Sequence, residues 1–135
     1  MTTGYSGTPL AKKLGIKFGF QILLINEPEH YFDLFTDLPK IDIIRYPDDQ
    51  SIDFIHIFST NLKDLEKDVL TYKPCLKKDG MLWISWPKGT STIPTNLKRE
   101  PVRELLLQLG LVDTKVAAID EDWSGLKFVY RIKDR

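Results

Sequence analysis

A single cysteine, Cys75, rules out an intrachain disulfide, so this chain of 135 residues has to be held together by its core. A lone thiol also fits a reducing cytoplasm. Charge of one sign is missing too. Nineteen basic and 19 acidic residues cancel, leaving no general field to draw the protein to nucleic acid or an anionic membrane. The pairs Lys12-Lys13, Lys77-Lys78 and Lys98-Arg99 are scattered and read as solvated faces. No apolar run approaches the ~20 residues of a membrane helix. The polar start, Met1 to Tyr5, has no apolar stretch behind it, so no signal peptide is expected. His30 and His56 lack the partner spacing of a metal site. These absences point to a soluble cytoplasmic protein, a monomer or homodimer, without metal.

What is present suffices for a core. Apolar residues make up 42% and charged residues 28%, a balance that excludes gross disorder, and the length fits one domain spanning 1–135. In the N-terminal segment 1–20, Thr8 suits an N-cap, Pro9 a first helical position and Gly15 a C-terminal stop. The spacing predicts a short helix that docks on the main body. Gln21 to Asn26 is apolar on both faces, the mark of a central strand covered from each side. Pro28 should open a helix carrying Tyr31, Phe32, Leu34 and Phe35. Strands are expected at Ile41 to Arg45, Ile52 to Phe58 and Met81 to Trp86, with a helix after the cap residue Asn61. Another helix should start near Glu100-Pro101 and stop at Gly110. Val112 to Asp120 and Gly125 to Ile132 read as an antiparallel hairpin.

Alternating strands and helices indicate a Rossmann-like α/β domain: a mostly parallel sheet, helices on both faces and a C-terminal antiparallel hairpin. One link disturbs the pattern. Tyr46 to Ser51 is too short for a helical crossover. Either the strand at Ile41 to Arg45 runs antiparallel, or an extended segment crosses without a helix.

The first strand also lacks glycine where a nucleotide-binding protein would place it. It runs into Asn26-Glu27-Pro28-Glu29. Glycine there lets backbone N–H groups approach a ligand, and the helix start that follows attracts negative charge. Pro28 removes one N–H, and two glutamates bring negative charge of their own.

Leu76-Lys77-Lys78-Asp79-Gly80 leading into a strand resembles a passage of class I methyltransferases. YSGTPLAKKLGI, WPKGTS and DEDWSGLKFV together resemble an uncharacterised bacterial family, domain of unknown function 3052, itself distantly methyltransferase-like. That resemblance implies a single Rossmann-like domain and no established activity. Against a working methyltransferase, the glycine turn is absent, and Arg45 or Tyr46 stands where an acid should grip the ribose. Asp48 and Asp49 lie beyond Pro47, and no room remains for a complete third βα unit. These departures argue against S-adenosylmethionine (SAM) binding, so no cofactor is expected.

Ligands of open α/β sheets bind outside the carboxyl ends of the strands. That edge should gather the Asn26-Glu27 turn, the Ser59-Thr60-Asn61 turn and the Trp86-to-Ser91 loop. Lys88 offers a charge there, and Gly89, Thr90 and Ser91 offer donors, a set that could hold a carboxylate or phosphate or simply cap the sheet. Tyr5, Ser6 and Thr8 could close a pocket or cap a helix. Trp123 and Ser124, expected at the tip of the hairpin, could meet a ligand or partner, or fold back on the core. His56 reads as a hydrogen-bonded core residue. No catalytic constellation stands out. The preferred reading is a non-catalytic binding or interaction module for a small anionic ligand or a protein. The alternative is an enzyme with an altered nucleotide or SAM pocket.

Overall fold

A computed structural model describes residues 8–135. Six strands form one sheet in the order β2-β1-β3-β4-β6-β5. They are β1 (Gln21–Ile25), β2 (Asp42–Ile43), β3 (Ile52–Phe58), β4 (Leu76–Pro87), β5 (Leu111–Ala118) and β6 (Trp123–Tyr130). The first four are mutually parallel, while β6 pairs antiparallel with β4 and with β5. The Rossmann-like arrangement and the C-terminal hairpin expected from the sequence are both present.

Strand alternation divides the core into two layers. Ile55 and Ile57 of β3, with Leu82, Ile84 and Trp86 of β4, pack against α2 (Leu62–Tyr72) and α3 (Arg99–Gln108). Phe54 and Trp83 face the other way, onto Ala11 and Leu14 of α1 (Leu10–Leu14). Asn61 caps α2 as expected, its Oδ1 accepting from the N–H groups of Lys63 and Asp64. Thr8 does not cap α1. Pro9 holds the cap position without a side-chain bond, and Gly15 closes the helix in the left-handed conformation.

The direction of β2 is now settled. It runs parallel to β1, and the register explains how so short a link can cross over. Ile43 lies level with Ile22, which lies level with Phe54. The chain therefore returns only two residues along the strand axis to begin β3 at Ile52. An extended strap covers that distance, and its Ile44 packs on the α2 layer in place of a helix. The strap ends with Gln50 and Ser51 donating N–H to the carbonyls of Pro74 and Cys75.

Two local expectations fail. Pro28 opens no α-helix; only a 3-10 turn, Tyr31–Leu34, forms before the chain must turn toward β2. Asp79-Gly80 is not a turn either. Strand β4 already begins at Leu76, and its pairing with β3 jumps from Leu76 to Met81 while β3 advances only from Ile52 to Phe54. The extra residues form a bulge that keeps Leu76 in the core. No described helix is long and apolar enough to cross a membrane.

Candidate functional site

The order 2-1-3-4 places a topological switch point between β1 and β3, where crossovers leave in opposite directions and a crevice opens at the carboxyl ends. A crevice of about 280 Å³ occupies that position, lined by Asn26, Phe58, Ser59, Thr60, Asp64 and Trp123. Each element supplies its lining for a local reason. Strand β1 ends at Ile25 and hands the chain to Asn26, β3 delivers Phe58 and then turns at Ser59-Thr60, and the Asn61 cap starts α2 so that Asp64 falls in its first turn.

Asn26 overturns the weight placed on the missing glycine. Its φ of 58° is the left-handed conformation that glycine would supply, and asparagine enters this region more readily than most side chains. Its amide donates to the Phe58 carbonyl and to Asp68 Oδ2, both at 3.2 Å. Burial pushes the Asp68 carboxyl up, and the Asn26 hydrogen bond opposes that rise. The turn is thus built without glycine, and with no helix start behind it. Asn26→Val should cost about 1–3 kcal/mol in urea unfolding, because a β-branched residue is strained at positive φ. Asn26→Gly should cost less, losing the amide bonds but keeping the backbone.

Beneath the crevice lies a buried polar chain. Tyr31 Oη meets His56 Nδ1 at 2.9 Å, and His56 Nε2 meets Ser85 Oγ at 2.7 Å. The neutral ring donates through one nitrogen and accepts through the other. Burial pushes the His56 imidazole down to about 3. Burial, with Glu27 adding to it, pushes the Tyr31 phenol up. His56 and Ser85 are 0% exposed and Tyr31 2%. Phe58 stacks on His56 at 4.3 Å, and Trp123 meets Phe58 edge-on at 5.0 Å. This chain supports the wall of the crevice and does not face it. His56 is a hydrogen-bonded core residue, as the sequence suggested.

The remaining expected site residues divide. Lys88 N–H donates to the Asp122 carbonyl, Ser91 Oγ to Asp122 Oδ1, and Ser124 Oγ to the Trp86 carbonyl. The Trp86-to-Ser91 loop is thereby clasped to the hairpin turn, close to Trp123. Trp123 is the first residue of β6, not the tip, and folds back on Phe58. Thr90 is exposed on the loop, and Thr8 is exposed ahead of α1. Tyr5 and Ser6 lie outside the described residues. Asp48 and Asp49 act electrostatically on Cys75 at the amino end of β4, away from the crevice. Among the described residues, none from β2 or from the strap after it lines the crevice, so no acid there takes the ribose-gripping place.

Sequence reasoning missed Phe58 and Asp64 in the crevice lining, and the contact between His30 and Asp120, which do not line it. Asp64 was legible from the Asn61 cap, whereas His30 and Asp120 were not. His30 Nε2 meets Asp120 Oδ2 at 3.0 Å, joining the loop after β1 to the hairpin turn. The other Asp120 oxygen accepts from the N–H groups of Asp122 and Trp123. Among the described residues, no group of His, Cys, Asp and Glu could hold a metal ion.

No family model matches this chain. No curated protein matches it either. Solved structures do. A SAM-dependent methyltransferase from Aquifex aeolicus aligns over 88% of this chain and 86% of its own, with 16% identity and a TM-score of 0.62. Fibrillarin from Aeropyrum pernix, with natively bound S-adenosyl-L-methionine, aligns over 86% and 69%, with 16% identity and a TM-score of 0.56. Magnesium protoporphyrin IX methyltransferase from Synechocystis, with bound SAH (S-adenosylhomocysteine), aligns over 90% and 78%, with 8% identity and a TM-score of 0.56. The fold is methyltransferase-like. At these identities the likeness is one of fold alone. It nevertheless overturns the expectation of no cofactor, since two of these proteins hold SAM or SAH in their solved structures.

Proposed function

We propose that this protein is a methyltransferase-like binding module that takes SAM or SAH in the switch-point crevice. The observation that carries the reading is the position of that crevice, between the carboxyl ends of β1 and β3 and behind a left-handed Asn26. Its polar groups suit a nucleoside: the Asp64 carboxylate can accept from ribose hydroxyls, and Ser59 and Thr60 bring hydroxyls and backbone. Phe58 and Trp123 offer an aromatic wall. Support for a non-catalytic role comes from size and chemistry. About 280 Å³ lies at the lower bound of small-molecule sites, leaving little room for a second reactant. His56 and Tyr31 are sealed behind Phe58. The resemblance to domain of unknown function 3052 remains part of this proposal.

An enzyme reading is favoured by one observation. A second groove, lined by Trp86, Lys88 and Asn96 among others, adjoins the crevice, and the Thr60 carbonyl between them accepts from Thr95 Oγ1 and Asn96 N–H. That groove could seat a second reactant.

Thermal-shift and calorimetric titrations with SAM and SAH test the proposal. Ligand at 100 times its dissociation constant should add roughly 2.7 kcal/mol of stability, and Asp64→Asn or Trp123→Ala should weaken binding. Failure of both ligands to bind would overturn it. Incubation of the protein with SAM and a small-molecule cell extract should give no SAH; accumulation of SAH would favour the enzyme.

A further inference from the structure

The loop between β4 and α3 encloses a groove of about 550 Å³ with an unusual division of chemistry. Its floor is apolar: Trp86 and Leu97 are 7% and 3% exposed, with Ile93 beside them. Lys88, Lys98 and Arg99 line it as well, and among the described residues no carboxylate does. None of these three cations joins an ion pair among the described residues. The nearby acids are otherwise placed. Asp122 accepts from Ser91 Oγ and, through its carbonyl, from Lys88 N–H. Glu100, in the first turn of α3, is exposed and does not line the groove.

The groove is built before any ligand arrives. Thr95 Oγ1 and Asn96 N–H donate to the Thr60 carbonyl at 2.8 and 3.2 Å, and Asn96 Oδ1 accepts from Leu62 N–H at 3.0 Å. Ser91 Oγ accepts from Ile93 N–H at 3.1 Å. The Thr95 and Asn96 bonds hold the second half of the loop to the start of α2, and the Asp122 bonds hold its first half to the hairpin turn. Three cations beside an apolar floor suit an oxyanion whose body covers that floor.

We infer that this groove binds a small organic oxyanion, a carboxylate or phosphate carried on an apolar body. The head group is held by Lys98, Arg99 and Lys88, with the Arg99 guanidinium suited to a planar, two-pronged contact. The body lies on Trp86, Leu97 and Ile93. The inference is independent of SAM binding, because none of these residues lines the switch-point crevice.

Amide and indole NMR spectra of the whole chain, titrated with phenyl phosphate, benzoate and inorganic phosphate, test it. Phenyl phosphate or benzoate should shift the Trp86 indole and the amides of 88–91 and 96–99. Response to both probes identifies a general oxyanion site; response to one identifies the head group. Inorganic phosphate should bind at least about ten-fold more weakly, since it cannot use the floor. The double variant Lys98→Gln/Arg99→Gln should lose about ten-fold or more in affinity, with the rest of its spectrum unchanged. Shifts located elsewhere, affinity undiminished in that variant, or equal binding of inorganic phosphate would overturn the inference. SAH titration of the same variant should be unaltered, so failure here is distinguishable from failure of the crevice.

Discussion

Trp83→Ala should lower the unfolding free energy by about 3–5 kcal/mol, as expected for a large aromatic removed from a closed core. Trp83 is 0% exposed at the centre of the layer formed by Ala11, Leu14, Ile22 and Phe54. Its indole N–H donates to the Leu14 carbonyl at 2.9 Å. That carbonyl closes α1, where the helix itself supplies no partner. A helix of five residues cannot persist alone, so its docking rests on this ring and on the burial of Ala11 and Leu14. The opposite side of Trp83 is equally tight. A Cβ added at Gly125 would sit 3.2 Å from Trp83 Cε3 and 3.0 Å from Ile119 Cδ1, so β6 packs directly on the ring. Trp83→Phe separates the terms, because it keeps most of the apolar area and removes the hydrogen bond; about 1–2 kcal/mol is expected. Urea unfolding followed by far-ultraviolet circular dichroism measures both without depending on the tryptophan signal. A loss below about 1 kcal/mol for Trp83→Ala would mean that α1 is not held by this contact.

Acidification should destabilise the protein through His56. In the unfolded chain its imidazole takes a proton near the ordinary value of 6.5, whereas burial holds the native ring neutral down to about 3. Between those values the unfolded state binds the extra proton. Stability that is fully present above about pH 6.5 is therefore lost as pH falls toward 3, at up to about 1.4 kcal/mol per pH unit. From pH 6.5 to 4.5 the loss should be about 2–3 kcal/mol. The groups facing the ring are Tyr31, Ser85, Phe54 and Phe58, none of them a carboxylate that could hold the protonated form. Asp68, whose carboxyl burial pushes above its ordinary value of 3.8, acts in the opposite sense near that pH. His56→Gln should be less stable at pH 7, yet its deficit relative to the parent should shrink by about 2 kcal/mol at pH 5. An unchanged deficit would refute the assignment. Should the variant fail to fold, the His56 ring resonances of the parent provide the check, because they should not titrate between pH 5 and 8.

Most of the architecture was legible because local pattern carried it. Continuous apolarity in Gln21 to Asn26 and Ile52 to Phe58 marked strands covered on both faces, and Asn61 marked the start of α2. Trp83 and Trp86 lie in opposite layers, as strand alternation requires. The expected strand-end edge did gather Asn26, the Ser59-Thr60 turn and the Trp86-to-Ser91 loop. Other features were hidden because they depend on partners far away in sequence. Nothing local reveals that Asn26 takes a positive φ: its amide bonds reach Phe58 and Asp68, 32 and 42 residues on. His30 looked isolated because its partner, Asp120, is 90 residues away. Pro28 looked like a helix start, but the run to β2 allowed only one 3-10 turn.

The sequence by itself determined the class of fold, the two-layer core, the antiparallel end and the balance of charge, since each follows from periodicity and composition over a few neighbouring residues. Only the tertiary structure decided that β2 runs parallel, that asparagine replaces glycine at the first turn, and that Tyr31, His56 and Ser85 share a buried chain. It also placed one crevice at the switch point and a cation-lined groove beside it. The physical reason is register. Which residues lie level across a sheet is set by pairings between distant segments, and those pairings determine what meets at its edge.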